Sequence, residues 1–161
     1  MAVILTVVAS IGLVGAQAAQ AATTGPLRNS WTQGCLEARD GADVPVVVAP
    51  CNGRTTQRWY ITGNSIIRNI ATNKCLDTRM PIPPFNGLYV KLSPCKSSDT
   101  AQRWVWGGGG SGTYTFGNIW ASSNSGSRPR VLDPDLANPV ASGVYPAFVW
   151  ITTARQDQSW V

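Results

Sequence analysis

The chain has 161 residues, enough for one ordinary domain, with 13 Lys and Arg against 8 Asp and Glu and a formal net charge of +5. Only 13% of its residues are charged, against roughly 25% in an average soluble domain. It contains no histidine, and its one Glu is Glu37. Ser-His-Asp and Cys-His nucleophile pairs and histidine metal sites are therefore excluded, and any acid–base catalysis would rest on a few Asp residues. An enzyme is not expected, and nothing calls for a cofactor. The 16 Gly, 11 Pro and 7 Trp suit many short strands joined by tight turns.

At the N-terminus no charged side chain precedes Arg28, and Val3 to Gly15 is a nearly unbroken apolar run. The run is too short to cross a bilayer core of roughly 30 Å. It leads into Ala16-Gln17-Ala18 and Ala19-Gln20-Ala21, small-x-small patterns of the kind signal peptidase cuts. Residues 1–22 are therefore expected to be a secretory signal cleaved near Ala21 or Ala22, so that the protein is secreted and keeps no stable membrane anchor. An exported chain with four cysteines, Cys35, Cys51, Cys75 and Cys95, points to two disulfides. A four-cysteine zinc site would show pairs two to four residues apart, and these cysteines are far more widely spaced. Three pairings are open on count alone.

Beyond the leader the chain repeats itself. Leu27-Arg28-Asn29-Ser30-Trp31-Thr32-Gln33-Gly34-Cys35-Leu36-Glu37 aligns without a gap on Ile67-Arg68-Asn69-Ile70-Ala71-Thr72-Asn73-Lys74-Cys75-Leu76-Asp77. Cys51 followed by Gln57-Arg58-Trp59 returns as Cys95 followed by Gln102-Arg103-Trp104. A third, more worn copy has Val131-Leu132-Asp133 and closes on Gln158-Ser159-Trp160. Both cysteine positions are missing from that copy together, which favours the pairs Cys35–Cys51 and Cys75–Cys95. Three such units, at about 26–63, 64–107 and 113–161, each too small for a core of its own, should share one around a pseudo-threefold axis. Within them, Val46-Val47-Val48, Leu88 to Leu92 and Ala147 to Ile151 read as strands. Gly107 to Gly112 reads as a flexible junction, and nothing past the leader has a helical pattern.

The unit Cys-Leu-Asp … Cys … Gln-x-Trp, present three times over residues 26–161, resembles the ricin B-chain-type (R-type, QxW) lectin family. That resemblance implies an all-β fold, the β-trefoil with three pseudo-threefold repeats, and carbohydrate binding without catalysis. It also implies that Trp59, Trp104 and Trp160 are core residues and that the triplet's Gln braces the adjacent loop. A sugar site would combine the acid after Cys-Leu, an aromatic two residues before the second cysteine, and a polar residue just before the triplet. The chemistry fits pyranoses, whose hydroxyl pairs need carboxylates or amides and whose C–H faces stack on rings.

The three copies differ at those positions. The first has Glu37, Ala49 and Thr56, with no ring, and is expected to be inactive. The second has Asp77, Ser93 and Ala101, with Lys91 where the family often carries Gln, and forms with Gln102 a weaker second site, Tyr89 lying nearby. In the third, Trp150 stands eight residues before Gln158, the platform spacing, with Asp133 as the acid and Asp157 before the triplet. If Val149 faces the core as Val48 and Leu92 should, Phe148 and Trp150 face out together. Asp133, Trp150, Asp157, Gln158 and Phe148 thus form the expected sugar site. Against this, the Asp135–Tyr145 loop could cover both rings, and Asp133-Pro134-Asp135 is also a good turn sequence.

The leading expectation is a secreted lectin recognising a galactose-like or xylan-type glycan or polysaccharide, mainly through its third repeat. The alternative is a sugar-inactive trefoil that docks a protein partner, as an inhibitor or a toxin's cell-binding subunit. The apolar Met80-Pro81-Ile82-Pro83-Pro84-Phe85 loop suits that alternative. The basic residues are scattered, with Arg128-Pro129-Arg130 the tightest cluster, which does not suggest nucleic acid.

Overall fold

The computed structural model describes residues 24–41, 44–81, 88–109, 113–123, 129–151 and 156–161. The expected leader, the centre of the Met80–Phe85 loop, Gly110 to Gly112, residues 124–128 and with them Arg128 lie outside the described residues. Among the described residues there are eleven strands: β1 (Thr24–Gly25), β2 (Cys35–Glu37), β3 (Val47–Ala49), β4 (Trp59–Ile61), β5 (Ile67–Asn69), β6 (Cys75–Pro81), β7 (Leu88–Ser93), β8 (Trp104–Gly109), β9 (Thr113–Asn118), β10 (Arg130–Pro134) and β11 (Tyr145–Ile151).

Two layers follow from the pairing. One is a ring of outer strands: β1 pairs with β4, β4 with β5, and β8 with β9. Bridges Ile66–Arg103, Tyr114–Trp160 and Asn29–Trp160 complete the circle. The other is a cap of three hairpins, β2–β3, β6–β7 and β10–β11. These pair with one another through β11–β7, β11–β3 and the Pro45–Lys91 bridge. This is the closed, three-part arrangement expected of a β-trefoil.

The repeat is legible atom by atom. Trp59, Trp104 and Trp160 are fully buried, and their indole N–H groups donate to the carbonyls of Leu36 (2.8 Å), Leu76 (3.3 Å) and Leu132 (3.1 Å). Each therefore fills the shared core with ring surface while its one polar atom is satisfied. The same core holds Leu36, Val48, Leu76, Val90, Leu132 and Val149, one from each strand of the cap hairpins. The disulfides join Cys35 to Cys51 and Cys75 to Cys95, as the repeat favours.

A second threefold set ties each repeat to the next. Asn69 donates to the carbonyls of Thr56 and Arg58, Asn118 to those of Ala101 and Arg103, and Asn29 to those of Asp157 and Ser159. All three are buried, and each side-chain oxygen caps the turn that follows its own strand. Gln33 and Asn73, at matching places in that turn, adopt left-handed φ values of 58° and 60°. Gly34 follows Gln33 because a Cβ there would meet Val48 Cγ1 at 2.9 Å and the Ala49 carbonyl at 3.0 Å.

Two expectations are corrected. Gly107, Gly108 and Gly109 are not a loose junction but the end of β8, paired with Thr115, Tyr114 and Thr113, since a backbone ladder needs no side chains. Ile119–Ser123 forms one short α-helix where no helical pattern was visible. Asn118 starts it by accepting the Ala121 N–H at 3.0 Å.

Candidate carbohydrate-binding site

The three cap hairpins share one register, so their outer faces can be compared position by position. The residue opposite Cys35 is Ala49, opposite Cys75 is Ser93, and opposite Val131 is Trp150. The residue opposite the acid is Val47 for Glu37, Lys91 for Asp77 and Phe148 for Asp133. Directly opposed residues of antiparallel strands project to the same face. One surface therefore carries Asp133, Phe148 and Trp150 together, while Leu132 and Val149, opposed to each other, are buried on the other.

The two rings are half-buried and contact each other, with centroids 5.8 Å apart and planes tilted by 44°. That spacing lies in the range for favourable aromatic pairs, so each ring fixes the other's orientation. Tyr89 of β7 stands opposite Phe148 on the adjacent strand and extends the aromatic row. Its hydroxyl donates to Asp135 Oδ2 at 3.3 Å. Burial, then the neighbouring Asp135 charge and that hydrogen bond, raises the Tyr89 hydroxyl above its ordinary value.

Asp135 also accepts from the Asn138 side chain, so the second acid of the Asp-Pro-Asp sequence anchors the turn. The loop beyond it is exposed from Ala137 to Gly143. The Phe148 and Trp150 rings are thus neither wholly covered nor wholly free.

Each acid is gripped by the Gln of its own triplet. Gln57 Nε2 donates to Glu37 at 2.8 Å, Gln102 Nε2 to Asp77 at 3.2 Å, and Gln158 Nε2 to Asp133 at 3.0 Å. In the first two repeats the same amide also reaches the carbonyl of Pro50 or Pro94, and its oxygen accepts the N–H of Asn52 or Lys96. The Gln residues sit on single turns of 3-10 helix, Thr55–Gln57, Thr100–Gln102 and Gln156–Gln158, which aim the side chains back at the acids. Holding one carboxylate oxygen fixes the rotation of the whole group, as an orienting partner must. Gln102, Gln158, Asp77, Asp133 and Asp157 are all buried, whereas Lys91 is half-buried. The Asp157 carbonyl accepts from Asn29 at 2.6 Å, just as Thr56 and Ala101 serve Asn69 and Asn118.

The structure brings Asp133, Gln158, Phe148 and Trp150 together around β10 and β11, with Asp157 on the neighbouring turn. Around Asp77, Lys91 and Gln102 the same frame has Ser93 at the ring position. The linking role of Asn29, Asn69 and Asn118 was missed from sequence, although Arg28-Asn29 and Arg68-Asn69 are aligned identities. No group of three or more metal-ligating side chains converges among the described residues.

Comparison with known proteins agrees with this frame. The model of the ricin-type β-trefoil lectin domain matches residues 23–160. An α-galactosidase A of Aspergillus niger is 33% identical over 85 residues, covering 52% of this chain and 14% of that protein. An uncharacterized protein of Mycobacterium tuberculosis is 30% identical over 105 residues, 64% of this chain and 62% of the relative. The chain therefore spans less than two thirds of the curated relatives it matches first. Among solved structures, the designed threefold-symmetric protein ThreeFoil superposes with a TM-score of 0.65 at 15% identity, covering 85% of this chain and 95% of the other. The C-half of an earthworm R-type lectin in complex with GalNAc gives 0.61 at 13% identity, with coverage of 86% and 95%. With the family model spanning the whole described fold, the chain belongs to the ricin-type β-trefoil lectin domain family, a family of carbohydrate-binding modules.

Proposed function

We propose that the protein is an exported lectin whose third repeat binds a galactose-like or xylan-type sugar, and that it has no catalytic activity of its own. The observation that carries this reading is the outer face of the β10–β11 hairpin. There a tilted Phe148–Trp150 pair stands in register with an acid oriented by Gln158. The other two hairpins put Ala49 and Ser93 where Trp150 stands. In this reading Trp150 stacks on the sugar's C–H face, Asp133 accepts from its hydroxyls, and Phe148 walls the site. Asp157 shapes the polar edge, while Asp77, Lys91 and Gln102 form a weaker second site without a ring. The galactose preference draws on the GalNAc complex of the earthworm lectin and the α-galactosidase relative.

Tryptophan fluorescence tests this directly, with galactose, lactose and xylo-oligosaccharides titrated against the oxidised protein and against Trp150→Ala. A saturable change that vanishes in the variant is the expected result. A flat response to every sugar, with Trp150→Ala destabilised, would make the ring structural. It would favour the second reading, a trefoil that docks a protein partner, which the ring-less first and second repeats support.

A further inference from the structure

The seven tryptophans divide sharply by exposure. Trp59, Trp104 and Trp160 are buried, Trp106 and Trp120 pack half-buried against the core, and Trp150 is half-buried beside Phe148. Trp31 alone is largely in water, at 60% exposure. A Trp left in solvent forgoes the burial that makes the residue useful to a fold.

The pseudo-symmetry shows that the turn does not require it. Asn29 Oδ1 caps the N–H groups of Trp31 and Thr32, as Asn69 Oδ1 caps those of Ala71 and Thr72. The same turn is thus built with alanine at the matching place, and in the third repeat the matching Trp120 is packed inward.

Trp31 lines a cleft of about 480 Å³ formed between the first repeat's 31–34 turn and the third repeat's 136–145 loop, with Pro50 and Cys51 also lining it. That volume falls within the roughly 300–1,000 Å³ of small-ligand sites. Leu136 and Tyr145 form the opposite side. Two polar groups in it have capacity to spare. Gln33 Nε2 spends one N–H on the Ser30 carbonyl at 2.6 Å, leaving its second N–H and its carbonyl oxygen. The Tyr145 hydroxyl has no hydrogen-bond partner among the described residues. Among the described residues, no charged side chain lines the cleft.

We propose that this cleft is a further saccharide site, separate from those around Asp133 and Asp77, in which the Trp31 ring stacks on the apolar face of a neutral pyranose and the Gln33 amide and Tyr145 hydroxyl bond its hydroxyls. The proposal rests on the lectin reading for its ligand class, but on different residues from those of the third-repeat site. A neutral lining with one amide suits uncharged sugar units. Without an oriented carboxylate, the cleft adds to the binding of an oligosaccharide and holds a monosaccharide weakly.

The test uses the indole N–H signals of the oxidised, nitrogen-15-labelled protein, assigned with Trp31→Ala and Trp150→Ala and followed during titration with neutral galacto- and xylo-oligosaccharides. The expected result is a saturable shift of the Trp31 signal. Trp31→Ala should weaken oligosaccharide binding about three- to tenfold with an unchanged melting temperature, and Trp31→Phe should retain most of the affinity. A Trp31 signal that stays still while that of Trp150 moves overturns the cleft proposal and leaves the third-repeat site standing. Movement of Trp31 without Trp150 does the reverse, and two stationary signals overturn both.

Discussion

The β6–β7 and β10–β11 hairpins have the same register as far as the acid, beyond which β6–β7 alone shifts, and they share the same Gln-to-acid hydrogen bond and the same buried leucine before the acid. They differ in what that shared frame presents. The second repeat has Lys91 and Ser93, and a disulfide joining the start of β6 to the loop after β7; the third has Phe148 and Trp150 and no disulfide. Scaffold and recognition are thus carried by alternate residues of the same strands. The core-facing parity is kept in every repeat, while the outward parity is where the repeats have diverged.

The sharpest way to break that comparison is to test whether the frames are as alike as their geometry. Trp104→Ala and Trp160→Ala should each cost about 3–5 kcal/mol, read as matched falls in urea midpoint, because both rings are buried and hydrogen-bonded alike. A large difference between them would mean that the third repeat carries its fold by other means.

Removing the second repeat's disulfide with Cys75→Ser plus Cys95→Ser should cost about 3 kcal/mol. Sugar binding in the third repeat should persist under conditions where the variant stays folded. Calorimetric unfolding beside a sugar titration would report both.

The comparison is sharpened by transplantation. Lys91→Phe with Ser93→Trp puts the third repeat's rings into the second, opposite Asp77 and Cys75. The expected outcome is tighter binding at the second repeat, read against the unaltered protein by titration calorimetry, with stability changed by less than about 1 kcal/mol, as for substitutions away from the core. If binding there is no tighter, the two rings are insufficient and the surrounding loop is part of the site.

The smallest effect concerns Tyr89, which lies between the two hairpins. Its hydroxyl is raised in the folded protein, so the folded state holds that proton more tightly than the unfolded chain does. The associated stability is fully present below the unfolded value of about 10 and is lost as pH rises through the folded one. Tyr89→Phe should therefore flatten the alkaline limb of a stability–pH profile and slightly lower stability at neutral pH, where the bond to Asp135 is lost.

Much of this architecture was legible in the residues because it is periodic. The repeat picked out three Gln-x-Trp triplets, whose rings the family resemblance then placed in the core; the paired loss of two cysteines marked the disulfides, and alternation along Phe148-Val149-Trp150 marked which side chains share a face. What escaped depends on partners far away in the chain. Nothing local to Asn29 announces hydrogen bonds to Asp157 and Ser159. Trp31 looks in sequence like any turn residue until its lack of neighbours is seen. The Gly107–Gly109 run misleads because composition speaks of side chains, whereas its pairing uses backbone alone. Asp135 shows the same limit: a turn sequence is visible, but its bond to Tyr89 across two strands is not.

One feature of the ring of outer strands reaches beyond the site. Arg28 and Val161 exchange both backbone hydrogen bonds, at 2.9 and 2.8 Å, so the path into the fold and the path out of it are neighbouring strands, about 4.8 Å apart. A fold with that geometry can be set into a surface loop of a host protein without prying the loop open. It can also be re-cut between two of its repeats and rejoined at these ends, because position around the axis, not order along the chain, decides what each repeat contacts.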